Sequence, residues 1–367
     1  MIINLDNLPV DKTIINYIKN QSGILIDGCS FRGGNSVIFF GEHKVLKKRV
    51  ALKFYYILNI ETAHREAQIL SCINHDNILE VYDAKIIGNN YAFFLTPEIK
   101  GGDLDNLMTG GIVSVFSAIN IIRGILKGLT ALHEKKRRLV HCDLKPGNIL
   151  LDSTNRNSII ADFGSFKIIP DDQDSVAGSR HTFIYRPPES IKSNKFYLNS
   201  DIYQVGVIFY QLLGGYFPYS DIAWLNEKQK NKYILINHDF DKTKFFNNIV
   251  GNKICCGKLL KFETLPIFIC HRLKNIIKRA THVNFKERYQ AISEFLKDIH
   301  SFMSNAVDWW EDNDIIYAAK QGKFLFKITK EKGKLKVLRK YGKKWKSYNK
   351  IKGSLREIVQ QISVFKT

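Results

Sequence analysis

The sequence contains no apolar run near the ~18 residues that a membrane-spanning helix needs. Its first residues lack the basic start and the apolar stretch of a signal peptide. Its six cysteines show neither the spacing of a disulfide framework nor a C-x-x-C metal motif. These absences argue against a membrane-spanning protein, a disulfide-stabilised secreted protein and a zinc or haem protein, and they predict a cytoplasmic protein with reduced thiols.

Acidic residues are scarce at the carboxyl end of the chain. Residues 320–367 contain sixteen lysines and arginines but only two acids, which accounts for +14 of the net charge of +20. A segment of this charge density usually meets a polyanion, or it forms a well-solvated surface. The chain as a whole has 367 residues, 45% of them hydrophobic, which is long for one compact core and favours two lobes or domains.

Hydrophobic periodicity divides the chain into segments. Residues 1–22 form an extension with a short amphipathic helix over residues 11–20, because three isoleucines recur at helical spacing. Strand-like patterns dominate residues 23–96, and helical patterns dominate residues 97–303. A change in composition then predicts a linker over residues 304–319.

The basic segment 320–367 has a pattern of its own. Alternating residues predict strands over 323–330 and 334–341, with a third strand over 345–348. Ser354 resembles a helix N-cap, and the apolar residues after it recur at the spacing of a short amphipathic helix. The segment is therefore predicted to be a small β-plus-α module. If its helix covers the face of Phe324, Phe326 and Ile328, then Lys323 and Lys327 point away from the helix, and the further candidates to do so are Lys334, Lys336 and Lys346.

The segment His141–Leu150 carries the strongest chemical signal. Asp143, Lys145 and Asn148 supply a carboxylate, an amine and an amide at fixed offsets. Phosphoryl transfer needs a carboxylate to orient the attacking hydroxyl, a cation to neutralise the phosphate, and oxygen ligands for Mg²⁺. The segment resembles the catalytic loop of serine/threonine protein kinases.

Further motifs of that family precede and follow this loop in the expected order. Lys53, in Val-Ala-Leu-Lys, resembles the phosphate-binding lysine, and Glu66 resembles its helical partner. Asp162-Phe163-Gly164 resembles the metal-binding triplet. Later in the chain, Pro-Pro-Glu ending at Glu189 stands where the family has A-P-E, and Arg288 stands where the partner of that glutamate is expected. Asp201 resembles the start of the central buried helix.

The resemblance covers roughly residues 20–303 and implies an α+β, bilobal protein-kinase fold with a small β-rich N-lobe and a larger helical C-lobe, followed here by the β-plus-α module. It implies ATP and Mg²⁺, with Mn²⁺ as an alternative ion, and a protein substrate. Asp162 and Asn148 would hold the metal, and Lys53 would contact the α- and β-phosphates. Asp143 would orient the substrate hydroxyl, while Lys145 would stabilise the transferred phosphoryl group.

The same resemblance implies a set of nucleotide-binding residues: Gly33, Gly34, Ser36, Ile38, Ala51, Lys53, Thr96, Pro97, Ile99 and Asp103. The glycine-rich loop departs from the family pattern, because only the middle of its three glycines survives, as Gly33; the alternative is an ordinary hairpin turn. Thr96 would guard the back pocket. Pro97 would offer its carbonyl and Ile99 its N–H to adenine, while Asp103 would bond the ribose or act as a surface turn acid.

Cys142 replaces the arginine that precedes the catalytic aspartate in many kinases. That arginine pairs with a phosphorylated residue of the activation segment, so its loss predicts a kinase that does not depend on such phosphorylation. Cys142 is predicted to be inert packing rather than a reactive thiol. Thr182 is expected to contact the catalytic aspartate and lysine.

Alternatives stay open for the function of the chain and of its module. The chain is predicted to be an active serine/threonine kinase; the alternatives are a catalytically weak pseudokinase scaffold, a small-molecule kinase and a nucleic-acid-binding regulatory protein. The module has three readings: binding of nucleic acid, binding of an acidic protein or the kinase's own substrate, and a plain solvated surface.

Overall fold

The computed structural model describes residues 3–31, 36–57, 64–153, 157–177, 182–304, 306–320, 323–331 and 333–365. The chain divides into two compact units. The first unit comprises Met1–Gly102 and Leu150–Gly164, and the second comprises Asp103–Ile149 and Ser165–Thr367.

The first unit is built on a five-stranded antiparallel sheet with two helices. Its strands, in the order β1-β2-β3-β5-β4, are β1 (Ile24–Ser30), β2 (Ser36–His43), β3 (Lys48–Tyr56), β4 (Asp83–Ile87) and β5 (Tyr91–Pro97). The helices are α1 (Lys12–Asn20) and α2 (Arg65–Ser71). The predicted amphipathic helix is confirmed by α1, which buries Ile14, Ile15 and Ile18 and begins after Asp11, whose side chain accepts from the Thr13 N–H at 2.7 Å.

Strand alternation gives this sheet two chemically different faces. On one face, Phe39, Leu52 and Phe54 form a buried cluster with the three isoleucines of α1. On the other face, cross-strand register aligns Ile38, Lys53 and Phe94 on β2, β3 and β5. Two residues further along the strands, and on the same face, Ala51 pairs with Thr96. Of the five residues named on this face, four are uncharged and one, Lys53, is charged.

Helices dominate the second unit. They are α3 (Leu104–Gly110), α4 (Val115–Leu132), α5 (Pro188–Ser193), α6 (Leu198–Leu212), α7 (Glu227–Ile234), α8 (Asp239–Cys255), α9 (His271–Ala280) and α10 (Ile292–Met303). All residues of α6 from Asn199 to Leu212 are buried, so α6 is the core helix. Gly206 of α6 lets α9 approach closely, because an added Cβ would lie 2.6 Å from Thr281 Cγ2.

Short strands lie along the loops of the chain. They are β6 (Leu139–Val140), β7 (Ile149–Leu151), β8 (Ser158–Ile160), β9 (Lys167–Ile168), β10 (Val176–Ala177) and β11 (Lys195–Phe196), paired as β6–β9, β7–β8 and β10–β11. Within the described residues, one helical stretch, Val115–His133, is long and apolar enough to cross a membrane. In its most apolar window, 67% is buried inside the fold, as is typical of a helix in the core of a protein.

The carboxyl-terminal module is a five-stranded antiparallel meander followed by a helix. Its elements are β12 (Asp308–Asp312), β13 (Ile315–Lys320), β14 (Phe324–Glu331), β15 (Lys334–Tyr341), β16 (Lys344–Ser347) and α11 (Leu355–Ser363). The three predicted strands and the helix after the Ser354 N-cap are present. This β-rich module, the sheet of the first unit and the helices of the second unit agree with the expected fold class.

The predicted linker over residues 304–319 is wrong, because β12 and most of β13 lie within it. Trp309 and Ile316 are buried, and β12 and β13 are the first two strands of the module's sheet, so this stretch belongs to the module. Asn313 and Asp314 join the two strands with φ angles of 49° and 61°. Such a two-residue turn suits a hairpin, so the change in composition that predicted a linker lies inside the module's sheet.

Two contacts fix the module within the second unit. Asp308 Oδ1 accepts a hydrogen bond of 2.8 Å from the Phe116 N–H at the start of α4. The rings of Trp309 and Phe268 stack with centroids 5.8 Å apart. Burial raises the pKa of Asp308 above its ordinary value, although hydrogen bonds from Phe116 and Ser114 oppose the shift.

Candidate active site

Lys53 is the centre of a charged cluster in the first unit. Its Nζ lies 3.2 Å from Glu66 Oε1 and 2.8 Å from Asp162 Oδ1. Glu66 comes from the first turn of α2, so strand and helix supply the two partners of the predicted pair. Burial alone would lower the pKa of Lys53, but the two carboxylates outweigh it and hold that pKa above its ordinary value. Lys53 is therefore a permanent cation.

Glu66 also organises the backbone of the Asp-Phe-Gly triplet. Its Oε1 accepts from the Phe163 N–H at 3.0 Å, and the Phe163 ring is fully buried. Asp162 has a φ of 58°, in the left-handed region that non-glycine residues adopt rarely. Such strain persists where surrounding contacts hold it, and here the ion pair with Lys53 and the buried phenylalanine do so.

Asp143 is the centre of a second cluster, in the second unit. Its carboxylate lies 3.0 Å from Lys145 Nζ and accepts from the Thr182 N–H at 3.2 Å. Asn148 Nδ2 donates to the Asp143 carbonyl at 2.8 Å and to its Oδ2 at 3.3 Å. The three residues that the loop motif singled out are thus joined by direct hydrogen bonds.

Thr182 completes this cluster from the other side. Lys145 Nζ donates to Thr182 Oγ1 at 2.8 Å, so this threonine bonds to both the aspartate and the lysine. The expectation that Thr182 contacts both residues is confirmed. The threonine hydroxyl is consequently engaged in structure, which argues against its use as a phosphorylation switch.

Two buried polar residues of α6 form hydrogen bonds with the backbone of the loop that contains Asp143. Asp201, with no exposed surface, accepts from the N–H groups of His141 and Cys142 at 2.9 and 3.0 Å and bonds His133 Nε2 at 2.9 Å. Gln204 Oε1 accepts from the Leu144 N–H at 3.0 Å, and its Nε2 donates to the Cys142 carbonyl at 2.9 Å. The loop backbone is therefore clamped by side chains about sixty residues away in sequence.

A family model for the protein kinase domain matches residues 32–298. The chain belongs to the protein kinase family. It is 30% identical over 202 residues to mitogen-activated protein kinase kinase kinase 8 of Rattus norvegicus, covering 55% of this chain. It is 28% identical over 239 residues to the serine/threonine-protein kinase TOUSLED of Arabidopsis thaliana, covering 62% of this chain. These segments span 41% and 32% of the relatives' own lengths, so the chain matches less than half of each.

A bacterial relative gives the same family. The serine/threonine-protein kinase pkn2 of Myxococcus xanthus is 27% identical over 199 residues, which cover 51% of this chain and 24% of that protein. Protein kinases use ATP and a divalent metal ion and act on protein substrates. This kinase domain accounts for the motifs of residues 32–298, while the basic module lies beyond the matched range.

The structure brings only some of the predicted nucleotide-binding residues together on one face of a sheet. Gly33 and Gly34 lie outside the described residues, whereas Ser36 begins β2. Ile38 and Ala51 share the sheet face of Lys53, and so does Thr96, which is buried and whose hydroxyl lies 3.5 Å from the Ala51 carbonyl. This face is the part of the predicted set that the fold assembles.

The segment after Thr96 accommodates a proline at the end of a strand. Pro97 ends β5 opposite Val50, and the next residue, Glu98, continues the ladder by donating its N–H to the Arg49 carbonyl at 3.2 Å. Glu98 also binds Arg49 Nε at 2.6 Å. Ile99 then packs as a partly buried side chain.

Asp103 has a structural role in the second unit, as a helix cap. It is the N-cap of α3, and its Oδ1 accepts from the Asn106 N–H at 2.8 Å. An N-cap satisfies a backbone donor that the helix leaves without a partner. The capping role agrees with the reading as a turn acid, and a ribose contact would have to be made alongside it.

Cys142 lies in an apolar cluster. The residue is fully buried with Val140, Ile169 and Phe196, and Val176 of β10 packs against them. Burial, reinforced by the nearby Asp201 carboxylate, raises the pKa of the Cys142 thiol above its ordinary value. A buried thiol with a raised pKa is a poor nucleophile, which supports the interpretation of Cys142 as inert packing.

Arg138, three residues before His141, fastens the segment that follows β9. Its NH1 donates to the Asp171 carbonyl at 3.0 Å and its NH2 to the Gln173 carbonyl at 2.5 Å. Together with the pairing of β10 with β11, these bonds hold residues 171–177 within the second unit. This arrangement fits a kinase that lacks the arginine at position 142.

The predicted partner of Glu189 is confirmed. Arg288 NH1 and NH2 bind Glu189 Oε1 and Oε2 at 2.8 and 2.7 Å, and the Arg288 side chain has no exposed surface. Ser200 Oγ donates to Glu189 Oε1 at 2.6 Å. This bidentate, buried pair joins the end of the activation segment to the loop before α10.

The residues assigned to the metal have suitable donors. The NH₂ group of Asn148 donates both of its hydrogen bonds to Asp143, so the amide oxygen is the atom that would bind the metal. The Asp162 carboxylate is 47% exposed. Oxygen donors suit Mg²⁺, which proteins hold through one or two side chains together with substrate phosphates. Across the described stretches, no three His, Cys, Asp or Glu side chains converge as a self-contained metal site.

Proposed function

We propose that the chain is an active serine/threonine protein kinase. The observation that carries this proposal is the hydrogen-bonded set of Asp143, Lys145, Asn148 and Thr182. A pseudokinase scaffold needs no such set, and the lysine, metal and base positions of the family are all occupied by functional residue types. The reaction would transfer the γ-phosphoryl group of ATP to a serine or threonine hydroxyl.

Each residue has a role that its contacts support. Asp143 would accept a hydrogen bond from the substrate hydroxyl and orient it for in-line attack, and Lys145 would neutralise charge on the transferred phosphoryl group. Lys53, a permanent cation, would hold the α- and β-phosphates with Glu66 fixing its position. Asn148 and Asp162 would hold Mg²⁺ or Mn²⁺, which supplies charge stabilisation to the phosphates when bound.

The test is phosphotransfer from labelled ATP with Mg²⁺, followed by mapping of phosphorylated residues on the kinase itself and on a generic basic protein. Asp143→Asn, Lys53→Met and Asp162→Ala should each reduce the rate by at least ~10²-fold. Lys48→Met on the same strand as Lys53 and Asp172→Asn, both at exposed positions, are matched controls that should retain the wild-type rate. Wild-type activity in Asp162→Ala would overturn the metal assignment.

Product analysis separates the remaining alternatives. A pseudokinase would bind ATP without forming phosphoserine or phosphothreonine. A small-molecule kinase would leave every protein unlabelled while consuming ATP in the presence of its substrate. Labelled serine or threonine in protein is the outcome that supports the proposal.

The basic module supports a second candidate function, the binding of an anionic partner. Residues 308–367, from β12 to the end of the chain, carry sixteen lysines and arginines against six acids. Of those acids, Glu331 lies 3.0 Å from Lys336, and Glu357 accepts from the Ser354 N–H in the capping box of α11. The module therefore keeps a large excess of positive charge for a partner, with nucleic acid and an acidic protein as the two candidates.

A further inference from the structure

The sheet of the module has two faces, and α11 covers one of them. Phe365, just after α11, contacts the rings of Phe324 and Phe326 at centroid distances of 5.4 and 5.2 Å. Residues on that face, which we term the helix-covered face, are buried at Phe326, Ile328 and Val337. The alternate positions form the opposite face, which we term the open face. It includes three acids, Asp308, Asp312 and Glu331, and Glu331 lies 3.0 Å from Lys336. Its other members are Trp310, Ile315, Tyr317, Ala319, Leu325, Lys327, Thr329, Lys334, Lys336, Leu338, Lys340, Trp345 and Ser347.

Three aromatic rings form a row across the open face. Trp310 of β12 and Tyr317 of β13 stack with centroids 5.1 Å apart and planes inclined by 5°. Tyr317 in turn meets Trp345 of β16 at 6.4 Å. All three side chains are half-buried, and Trp310 and Tyr317 cover one face of each other's ring. The row therefore leaves part of its aromatic surface accessible to a ligand.

Lysines accompany this row. Lys327 Nζ lies 4.9 Å from the centroid of the Trp345 ring, and Lys336 and Lys340 follow on the same face of β15. The prediction that Lys346 also faces away from α11 is wrong, because Lys346 pairs with Arg339, and Arg339 pairs with Phe326 on the helix-covered face. Cations and rings are thus combined on the open face.

This combination distinguishes between the candidate partners. A duplex presents phosphates with its bases already stacked inside, and an acidic protein would match the cations while it covered the rings with apolar side chains. Unpaired bases stack on aromatic side chains while lysines neutralise the backbone phosphates. We infer that the open face binds single-stranded nucleic acid, which deepens the proposed anionic-partner role of the module and does not depend on phosphotransfer.

The test is fluorescence anisotropy of a labelled single-stranded oligonucleotide of mixed sequence with the full chain over a range of salt concentrations. Binding should weaken with salt at a log–log slope of about −0.7 per phosphate neutralised. Trp345→Ala should weaken binding on the order of tenfold through the loss of one stacking contact. Lys336→Glu combined with Lys340→Glu should weaken binding further and make the slope shallower.

Matched controls keep the inference falsifiable. Lys330→Glu combined with Lys346→Glu changes the net charge equally but on the helix-covered face, so its effect should be several-fold smaller. Asp143→Asn should bind as wild type does, which separates failure of the kinase proposal from failure of this one. Thermal unfolding of each variant checks that the fold is retained.

Three outcomes would overturn the inference. The first is the absence of oligonucleotide binding at low salt. The second is equal affinity for single-stranded and duplex forms with no effect of Trp345→Ala, which would indicate a merely basic surface. The third is that the paired lysine reversals lower phosphorylation of a protein substrate but not of a short peptide, with no nucleic-acid complex, which would indicate docking of an acidic protein.

Discussion

Replacing Arg288 by methionine should destabilise the kinase domain severely. The guanidinium makes two bonds of 2.8 and 2.7 Å to Glu189, and its Nε donates to the His282 carbonyl at 2.7 Å. Methionine keeps much of the volume but leaves the Glu189 carboxylate, only 6% exposed, with a single hydroxyl donor from Ser200. Breaking one side of a buried ion pair costs about 3–5 kcal/mol, a large part of a typical folding free energy of about 5–15 kcal/mol.

The measurement is the free energy of unfolding from urea denaturation, with the slope against urea compared between variants. The double variant Glu189→Gln with Arg288→Met should be more stable than the sum of the two single changes predicts, because it leaves no unpaired charge. Lys230→Met is the control. It breaks an exposed pair with Glu227 and should cost at most about 0.5 kcal/mol. A loss below about 1 kcal/mol in Arg288→Met, or strict additivity in the double variant, would refute the reasoning.

Four further outcomes are expected. Iodoacetamide should modify the exposed cysteines of the native protein but spare Cys142, as peptide mapping would detect. Thr182→Ala should lower kcat on the order of 10- to 100-fold through misplacement of Asp143 and Lys145, whereas Ser175→Ala should keep most of the activity. Gly206→Ala should cost about 1–3 kcal/mol in urea unfolding by overpacking against Thr281. Because the folded-state pKa of Asp308 is raised, the contribution of Asp308 to the free energy of unfolding should fall as pH rises through the window just above 3.8. The difference in free energy of unfolding between the wild type and Asp308→Asn should therefore change across this window, and a difference that stays constant with pH would contradict the expectation.

Short-range pattern was enough to predict the kinase motifs and most of the elements. Lys53, Asp143 and Asn148 could be found because their chemistry depends on fixed offsets within a few residues. The helix α1 and the strands of the module could be found because periods of 3.6 and 2 residues are local properties of the backbone. These predictions needed no knowledge of what each element packs against.

Other features depended on partners far away in the chain. Gln204 and His133 were missed as supports of the catalytic loop, because the sequence shows only an amide in a helix and a histidine at a helix end. A polar residue inside an otherwise apolar buried helix was the available signal, since such a group must find a hydrogen-bond partner. The partner itself, about sixty residues away, is set by how α6 lies under the loop.

The sequence alone thus contains the residue type at each position, the local hydrophobic periods and the spacing of the motifs. These properties were enough to identify the kinase family and the residue types that its chemistry needs. The tertiary structure decided which segments share a core. It drew residues 308–320 into the sheet of the module, made Asp103 a helix cap, and turned Lys346 to the helix-covered face. The physical reason is that burial and strand register are settled between segments, where the free energy of packing two surfaces together outweighs the local preference of either one.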